Sequence, residues 1–282
     1  MVKMSRKTRD GSLRVLIWLC AIVTVSILSI LVGYILINGL KGISWKFLTD
    51  YYMESDKSHR GILPMIINTL YLVILTLLLA TPIGIGSAVF LTQYAKQGRL
   101  VRAIRFTTEV LAGIPSIIYG LFGFAFFVAF LRLSYSLLAG ALTMTIIILP
   151  TIVRTTEEAM IAVPQQYKEG ALALGADRLR VILQIIIPTA MPGILTSVIL
   201  AMGRIVGESA ALMFTAGLVT NMPTGILSHI FTSGRTLTLH LYTLAMRGEP
   251  LEQSYATAAV LLIIVFLLNR LAGLIGRALK KG

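Results

Sequence analysis

Carboxylates, cysteines and histidines are scarce in this sequence. Its 282 residues hold 12 Asp and Glu, 1 Cys and 3 His. The single cysteine, Cys20, lies inside an apolar run, which excludes both a disulfide framework and a cysteine-based metal site. His59, His229 and His240 show no ligand spacing such as H-E-x-x-H and read as solvated or interfacial side chains. No G-x4-G-K-[ST] phosphate loop occurs, so the chain carries no nucleotide site of that kind. No nucleophile–base set and no paired-carboxylate site can be assembled, which leaves no basis for an enzyme. Internal repeats and low-complexity tracts are absent as well.

Charge is thin too, at 13% of residues, whereas apolar residues make up 56% and the mean hydropathy is +0.86. A soluble domain of this length has no use for so much apolar surface, because its exterior faces water. Six runs reach or approach the roughly 20 residues that cross hydrocarbon. They are 13–37, 63–91, 106–131, 137–153, 183–214 and 255–275. The expected fold is all-α: a polytopic membrane protein with six transmembrane helices. The first run follows Lys3, Arg6, Lys7 and Arg9 and imitates a signal peptide. It is too long for one and no A-x-A site follows, so it reads as a retained first helix.

The net charge of +13 is spread over the ends and alternate loops rather than along one face. That pattern argues against nucleic acid and for a membrane protein surrounded by lipid, with its basic loops inside. Lys96, Arg99, Arg102 and Arg105 crowd the second connection, and Arg270, Arg277, Lys280 and Lys281 end the chain. Both termini and the loop 154–182 are therefore expected in the cytoplasm of a cell-membrane (inner-membrane) protein, with 38–62 and 215–254 outside. The latter segment is expected to hold short helices that either lie along the outer surface or dip into the membrane. Pro82, Gly84 and Gly86, and later Gly113 with Pro115, interrupt helical pattern; such breaks line a watery gate or merely permit packing. Arg132 reads as a headgroup anchor at the outer end of the third span.

The loop 154–182 leads into the most informative stretch, E-G-A-L-A-L-G-A-D-R-L-R-V-I-L-Q-I-I-I-P from Glu169 to Pro188. Pro164 suits the first turn of a short helix, and Gly175 supplies a left-handed stop. Asp177 is a candidate N-cap for the next helix. The result is a helix–Gly–helix corner with Ala171, Leu172 and Leu174 on it, either a docking knob or an ordinary amphipathic connector. Pro188 and Pro192 are expected to bend the start of the fifth span. Glu157 and Glu158 follow Arg154 at helical spacing and brace the base of the fourth.

Arg204 and Glu208 stand inside the fifth apolar run. Each ionised group at that depth costs about 2.5–3.5 kcal/mol on insertion scales. Their i, i+4 spacing predicts one helix face and partial mutual neutralisation. Gly203 and Gly207 beside them allow close approach of another helix or a solvated path. Such a pair is either part of a translocation route or a clasp between helices. A guanidinium fork suits phosphate or another oxyanion.

Glu169, Gly170, Ala171, Gly175, Ile185, Ile187 and Pro188 resemble the signature of ABC-importer permeases, E-A-A-x3-G-x9-I-x-L-P, with Gly170 and Ile187 as mild departures. The stretches G-I-P-S-I-I-Y-G-L-F-G (113–123), L-P-T-I-V-R-T-T-E-E-A (149–159) and G-R-I-V-G-E-S-A-A-L-M-F-T-A-G (203–217) resemble the phosphate-specific, PstA-like permeases. That resemblance implies a type I, MetI-like permease domain over 62–277, after a basic segment 1–12 and a first helix and outer loop at 13–61. It implies that Glu169, Gly170, Ala171, Gly175, Ile185 and Pro188 couple the chain to a separate ATPase. It further implies that Arg204 and Glu208 line the route for inorganic phosphate. The implied partners are a homologous PstC-like permease, a dimer of PstB-like ATPase subunits and an external PstS-like phosphate-binding protein. No cofactor is expected on this chain, ATP and Mg belonging to the ATPase. A permease for sulfate or molybdate, and a secondary transporter using Arg204 and Glu208 alone, are the alternatives.

Overall fold

The computed structural model describes residues 6–53, 59–96, 98–223 and 225–280; Lys3 and Lys281, two of the basic residues expected to hold the chain ends, lie outside the described residues. Most of the described residues are helical, and the one strand-like pairing among them is an antiparallel bridge between Tyr52 and Arg60. Among the described residues five helices are long and apolar enough to cross a membrane, or six if one bent pair is counted as a span.

The core is a stack of three helices. α3 (Leu63–Val89) opens with Pro64 in its first turn, where a missing N–H leaves no bond unmade. α6 (Leu137–Ile161) is started by Ser136, whose hydroxyl accepts from the Ala139 amide at 3.2 Å. α9 (Ile187–Gly207) packs on the other side of α6. Leu72, Val73 and Ala80 of α3 meet Met144, Ile148 and Ile152 of α6 and Ala201 and Ile205 of α9 in one buried cluster. Two glycines set the spacing. A Cβ on Gly84 would stand 2.5 Å from Ile152 Cγ2, and one on Gly193 would collide with Ala159. Thr143 and Thr145 donate their hydroxyls to the Ala139 and Ala141 carbonyls, so α6 buries polar residues without orphan groups.

Burial falls off from this axis. α6 has 67% of its apolar window buried, α12 (Leu251–Lys280) 17% and α1 (Arg6–Gly39) none, so α1 is an outrigger that touches the bundle along α12. Its exposed Ile17, Leu28 and Ile30 match hydrocarbon or a neighbouring membrane helix, not water.

Three expected spans have different bounds. The third, 106–131, is not one helix: α4 (Arg99–Ala112) and α5 (Ser116–Gly123), the latter prolonged by a π-helical stretch Phe124–Phe130, meet at 99°. Pro115 removes a donor and forces the preceding residue out of helical geometry, and Gly113 ends α4. The fourth continues eight residues past Val153 to Ile161, because the charged Arg154, Glu157 and Glu158 mark the end of hydrocarbon rather than the end of helix. The fifth begins earlier, at Arg178: α8 (Arg178–Val181) runs on through a π turn Ile182–Ile186 just ahead of Pro188 into α9 as one continuous helix, and α10 (Ala210–Thr215) follows after a break at Glu208.

Of the two longer connections, 38–62 has, among its described residues beyond the end of α1, the helix α2 (Trp45–Thr49) and a 3-10 turn, Leu40–Gly42. The other, 215–254, dips inward. Its α11 (Leu237–Met246) begins with the Leu237 amide on Thr69 Oγ1 at 2.9 Å, two turns into α3. His229 and His240, expected to be solvated or interfacial, are instead buried here. His229 Nε2 meets Asn68 Oδ1 at 2.6 Å, and Asn68 Nδ2 donates to the Arg235 carbonyl at 3.1 Å. Arg235 is buried as well, its Nε donating to the Leu218 carbonyl at 2.9 Å. His59 stays half-buried against Asp50. Desolvation opposes ionisation of that carboxyl, but the His59 hydrogen bond and the Tyr51 amide outweigh it and hold the acid below its usual range.

Candidate functional site

Two places bring chemistry together, at opposite ends of α9. The first is the corner after α6. α7 (Gln165–Ala173) ends at Gly175, whose φ of +85° is the left-handed conformation only glycine adopts freely. The Ala176 amide donates to the Ala171 carbonyl and the Gly175 amide to the Leu172 carbonyl, both at 3.0 Å; this is the double bond of a Schellman stop. Ala171 and Ala176 close it from the apolar side, packing with Ala88, Val181 and Ile182. The outer side is bare. Leu174 is 91% exposed, Tyr167, Leu172 and Leu179 are exposed beside it, and Gly170 faces open space. Glu169 points outward and accepts from Gln165 Nε2 at 2.6 Å. Ile185 is half-buried in the π turn and Pro188 sits exposed in the first turn of α9. Pro164 takes the N-cap position rather than the first helical one, and Asp177 stands at the N-cap of α8 without a side-chain cap bond.

The base of α6 is clamped to α4 rather than braced along itself alone. Glu157 pairs with Arg105 across the two helices, while Arg154 reaches Glu109 at 3.0 Å and Glu158 at 3.2 Å. The expected Arg154–Glu157 contact does not form, because Glu157 faces α4. Gln93, Lys168 and Arg178, which no motif marks, tie the corner to α3: Lys168 Nζ donates to Gln93 Oε1 and Arg178 to the Gln93 carbonyl.

The second place is the break in the fifth span. Gly193 against Ala159, and Ser197 Oγ at 3.3 Å from Thr156 Oγ1, set an antiparallel register between α9 and α6. That register puts Arg204 beside about residue 149 of α6, within the apolar stretch and a little over one turn short of Arg154, where the charged base of α6 begins. α9 stops there. Glu208 has ψ 132°, an extended residue, so Arg204 and Glu208 do not share one helix face, and among the described residues no ion pair joins them. Each charge serves its own helix end instead. Glu208 Oε1 accepts from the Ala211 amide at 3.1 Å, placing a carboxylate at the N-terminus of α10. Arg204 lies in the last turn of α9, where the carbonyl ends are negative. Thr238 of α11 donates to the Val206 carbonyl at the same end.

Arg204 is half-buried, has no carboxylate partner among the described residues, and lies within electrostatic range of Tyr119. Tyr119 donates its hydroxyl to the Leu111 carbonyl at 2.7 Å, so the bend of the third span and the break of the fifth sit together. Gly203 and Gly207, exposed with no atom within 4 Å of a would-be Cβ, leave that face of α9 open. A helix broken within an apolar span, with a cation at the break and an open face, is the way carriers expose polar groups to a solute.

Residues 80–281 match the family of binding-protein-dependent transport system inner membrane components. The chain belongs to that family. A probable ABC transporter permease of Bacillus subtilis, YqgI, is 37% identical over 99% of this chain and 98% of its own length. The phosphate transport system permease PstA of Pasteurella multocida is 36% identical over 74% of each chain. Among solved structures, a bacterial alginate ABC transporter bound to its periplasmic protein covers 97% of this chain and 96% of its own, with a TM-score of 0.69 at 16% identity. The inward-facing MetNI methionine transporter reaches 0.60 at 20% identity over 78% of this chain and 94% of its own. These two carry the fold alone. The chain is an ABC-importer permease with the type I architecture, and it moves a solute rather than transforming one.

Proposed function

We propose that this permease carries inorganic phosphate inward, as one of two homologous membrane subunits driven by a separate ATPase dimer and fed by an external phosphate-binding protein. The observation that carries the reading is Arg204: a guanidinium held within the apolar run where the helix breaks, with no carboxylate on it among the described residues and an open face beside it. Its planar fork matches a tetrahedral oxyanion and keeps its charge at any working pH. Phosphate, rather than another oxyanion, is supported by relatives named as phosphate permeases at 31–36% identity.

In this reading the α7–Gly175–α8 corner and both chain ends lie in the cytoplasm, in keeping with the basic residues of 96–105 and the tail. Glu169, Gly170, Ala171, Gly175, Ile185 and Pro188 form or support the surface that the ATPase grips. ATP and Mg stay on that partner. Closure of the ATPases pushes the corner, swings α6 and α9, and opens Arg204 outward to the loaded binding protein; hydrolysis resets the path inward. Reconstituted uptake of labelled phosphate, with each partner omitted in turn, tests this. Uptake should require all of them and withstand excess sulfate or molybdate. Uptake without nucleotide would replace the reading by a secondary carrier, and suppression by sulfate or molybdate by another oxyanion permease.

A further inference from the structure

The corner is joined by the chain to two of the three core helices, α6 before it and α9 after it. Its chain reaches α3 through neither arm, and beside the small apolar contact of Ala171 and Ala176 with Ala88, Gln93 supplies the polar link. This residue is buried at the end of the π-helical turn Phe90–Tyr94 that closes α3. Its Oε1 accepts from Lys168 Nζ at 3.2 Å, and its backbone carbonyl accepts from the Arg178 guanidinium. Lys168 lies on α7, before Gly175, and Arg178 opens α8, after it, so one residue of α3 is held from both arms of the corner. The Arg178 guanidinium also stands 5.0 Å from the centroid of the Tyr94 ring, a cation–π contact with the same turn.

The surroundings leave this contact exposed to change. A crevice of about 490 Å³, lined by Thr92, Gln93, Gln165 and Lys168 together with the apolar Ile161 and Val163, opens beside it, so the contact is not enclosed by packed side chains on that side. A π turn is also a helix end with a shifted bond ladder, a place where a small displacement is absorbed or passed on. Movement of α3 is not local, because its Leu72, Val73 and Ala80 are locked into the buried cluster with α6 and α9.

We propose that Gln93 is a positioning residue that clamps both arms of the corner to the second span, so that a push on the corner reaches α3 together with α6 and α9. The inference rests on the corner being the ATPase contact. Without the Lys168 arm of the clamp the corner is tied to α3 only through Arg178 and the small contact at Ala88, and hydrolysis proceeds without a full swing of the bundle.

The test uses the complete importer in proteoliposomes, measuring phosphate taken up per ATP hydrolysed. Gln93→Leu, which keeps the volume and removes the acceptor, should lower that ratio about five-fold or more while hydrolysis continues. Lys168→Met should do the same, and the double variant should be no worse than either single one. Gln93→Glu, which keeps an acceptor for Lys168, should hold the ratio near that of the native protein. If Gln93→Leu fails to assemble, Lys168→Met and Gln93→Glu still decide the matter. A native ratio in Lys168→Met, or a Gln93→Glu as uncoupled as Lys168→Met, overturns the clamp. A cysteine at the bare Leu174 separates the two levels of the argument. If it does not cross-link to the ATPase, the coupling reading itself fails; if it does and the ratios stay native, only the clamp fails.

Discussion

Gly175 offers the sharpest perturbation, because its surroundings separate two causes that are usually mixed. Its φ of +85° penalises any L side chain, yet no atom lies within 4 Å of the position a Cβ would take. Within this chain a substitution therefore meets backbone strain and no clash. Left-handed geometry costs an ordinary residue about 1–2 kcal/mol, and less for asparagine, whose side chain bonds locally. A shift of that size depopulates the Schellman corner roughly 5- to 30-fold. If corner shape governs coupling, uptake per ATP should fall in the order Gly, Asn, Ala, Val, with Val the worst because β-branched residues tolerate this region least. If instead the partner's groove excludes volume at this point, Ala should be milder than Asn. The assay is again transport against hydrolysis in proteoliposomes, with ATPase co-purification as a check on assembly. A valine variant that couples like the native protein would refute the strain argument, and an Ala-above-Asn order would reassign the effect to docking.

Three further outcomes follow from the geometry. Arg204→Gln should abolish phosphate uptake while the complex still assembles, and Arg204→Lys should retain only part of it, keeping the charge without the fork; lost assembly would make Arg204 a helix-end support and nothing more. Glu157→Gln should weaken the α4–α6 clamp by about 1 kcal/mol, the modest value expected because Arg105 is partly solvated, seen as a melting temperature lower by roughly 2–4 °C. Burial draws the His229 imidazole below its ordinary value of 6.5, so the folded state favours the neutral ring. Stability from this site is full above that value and declines as pH falls beneath it; a melting curve flat from pH 7.5 to 5.5, or one unchanged by His229→Gln, would contradict this.

The sequence was most readable where a structural outcome depends on neighbours in the chain. The span cores, the glycine stop at Gly175, the apolar Ala171–Leu174 knob and the bend at Gly113 and Pro115 follow from hydropathy and turn chemistry within a few residues. Distant partners leave no such trace. Nothing near Gln93 announces that Lys168 and Arg178 converge on it from 75 and 85 residues away. The histidines misled for the same reason. His229 follows a Gly- and Pro-containing stretch that looks solvated, and only Asn68, 161 residues earlier, gives the ring a reason to be buried.

Arg204 and Glu208 are the instructive case, because a local signal was present there and a regular pattern concealed it. Four-residue spacing implies one face only if helix continues between the two residues. Gly207, then Glu208 and Ser209 ahead of Ala210, is a local order in which one helix can end and another begin; here Gly207 is the last helical residue, Glu208 is extended, and its carboxylate takes the Ala211 amide. The apolar run continues across that order without interruption, so hydropathy reads one span where the backbone makes two. The difference changes the chemistry of the site. As a continuous helix, the pair would neutralise itself, and an anion would have to displace Glu208 to reach Arg204. In the broken span the carboxylate is occupied with the Ala211 amide, and the guanidinium keeps its full field for a ligand. Glu208→Gln should then leave phosphate affinity nearly unchanged, since an amide oxygen still caps α10. A self-neutralising pair predicts the reverse, a marked tightening once the acid is gone. Equilibrium binding of labelled phosphate to the assembled importer distinguishes these outcomes, and tightening in Glu208→Gln would mean that the two charges meet in the working protein after all.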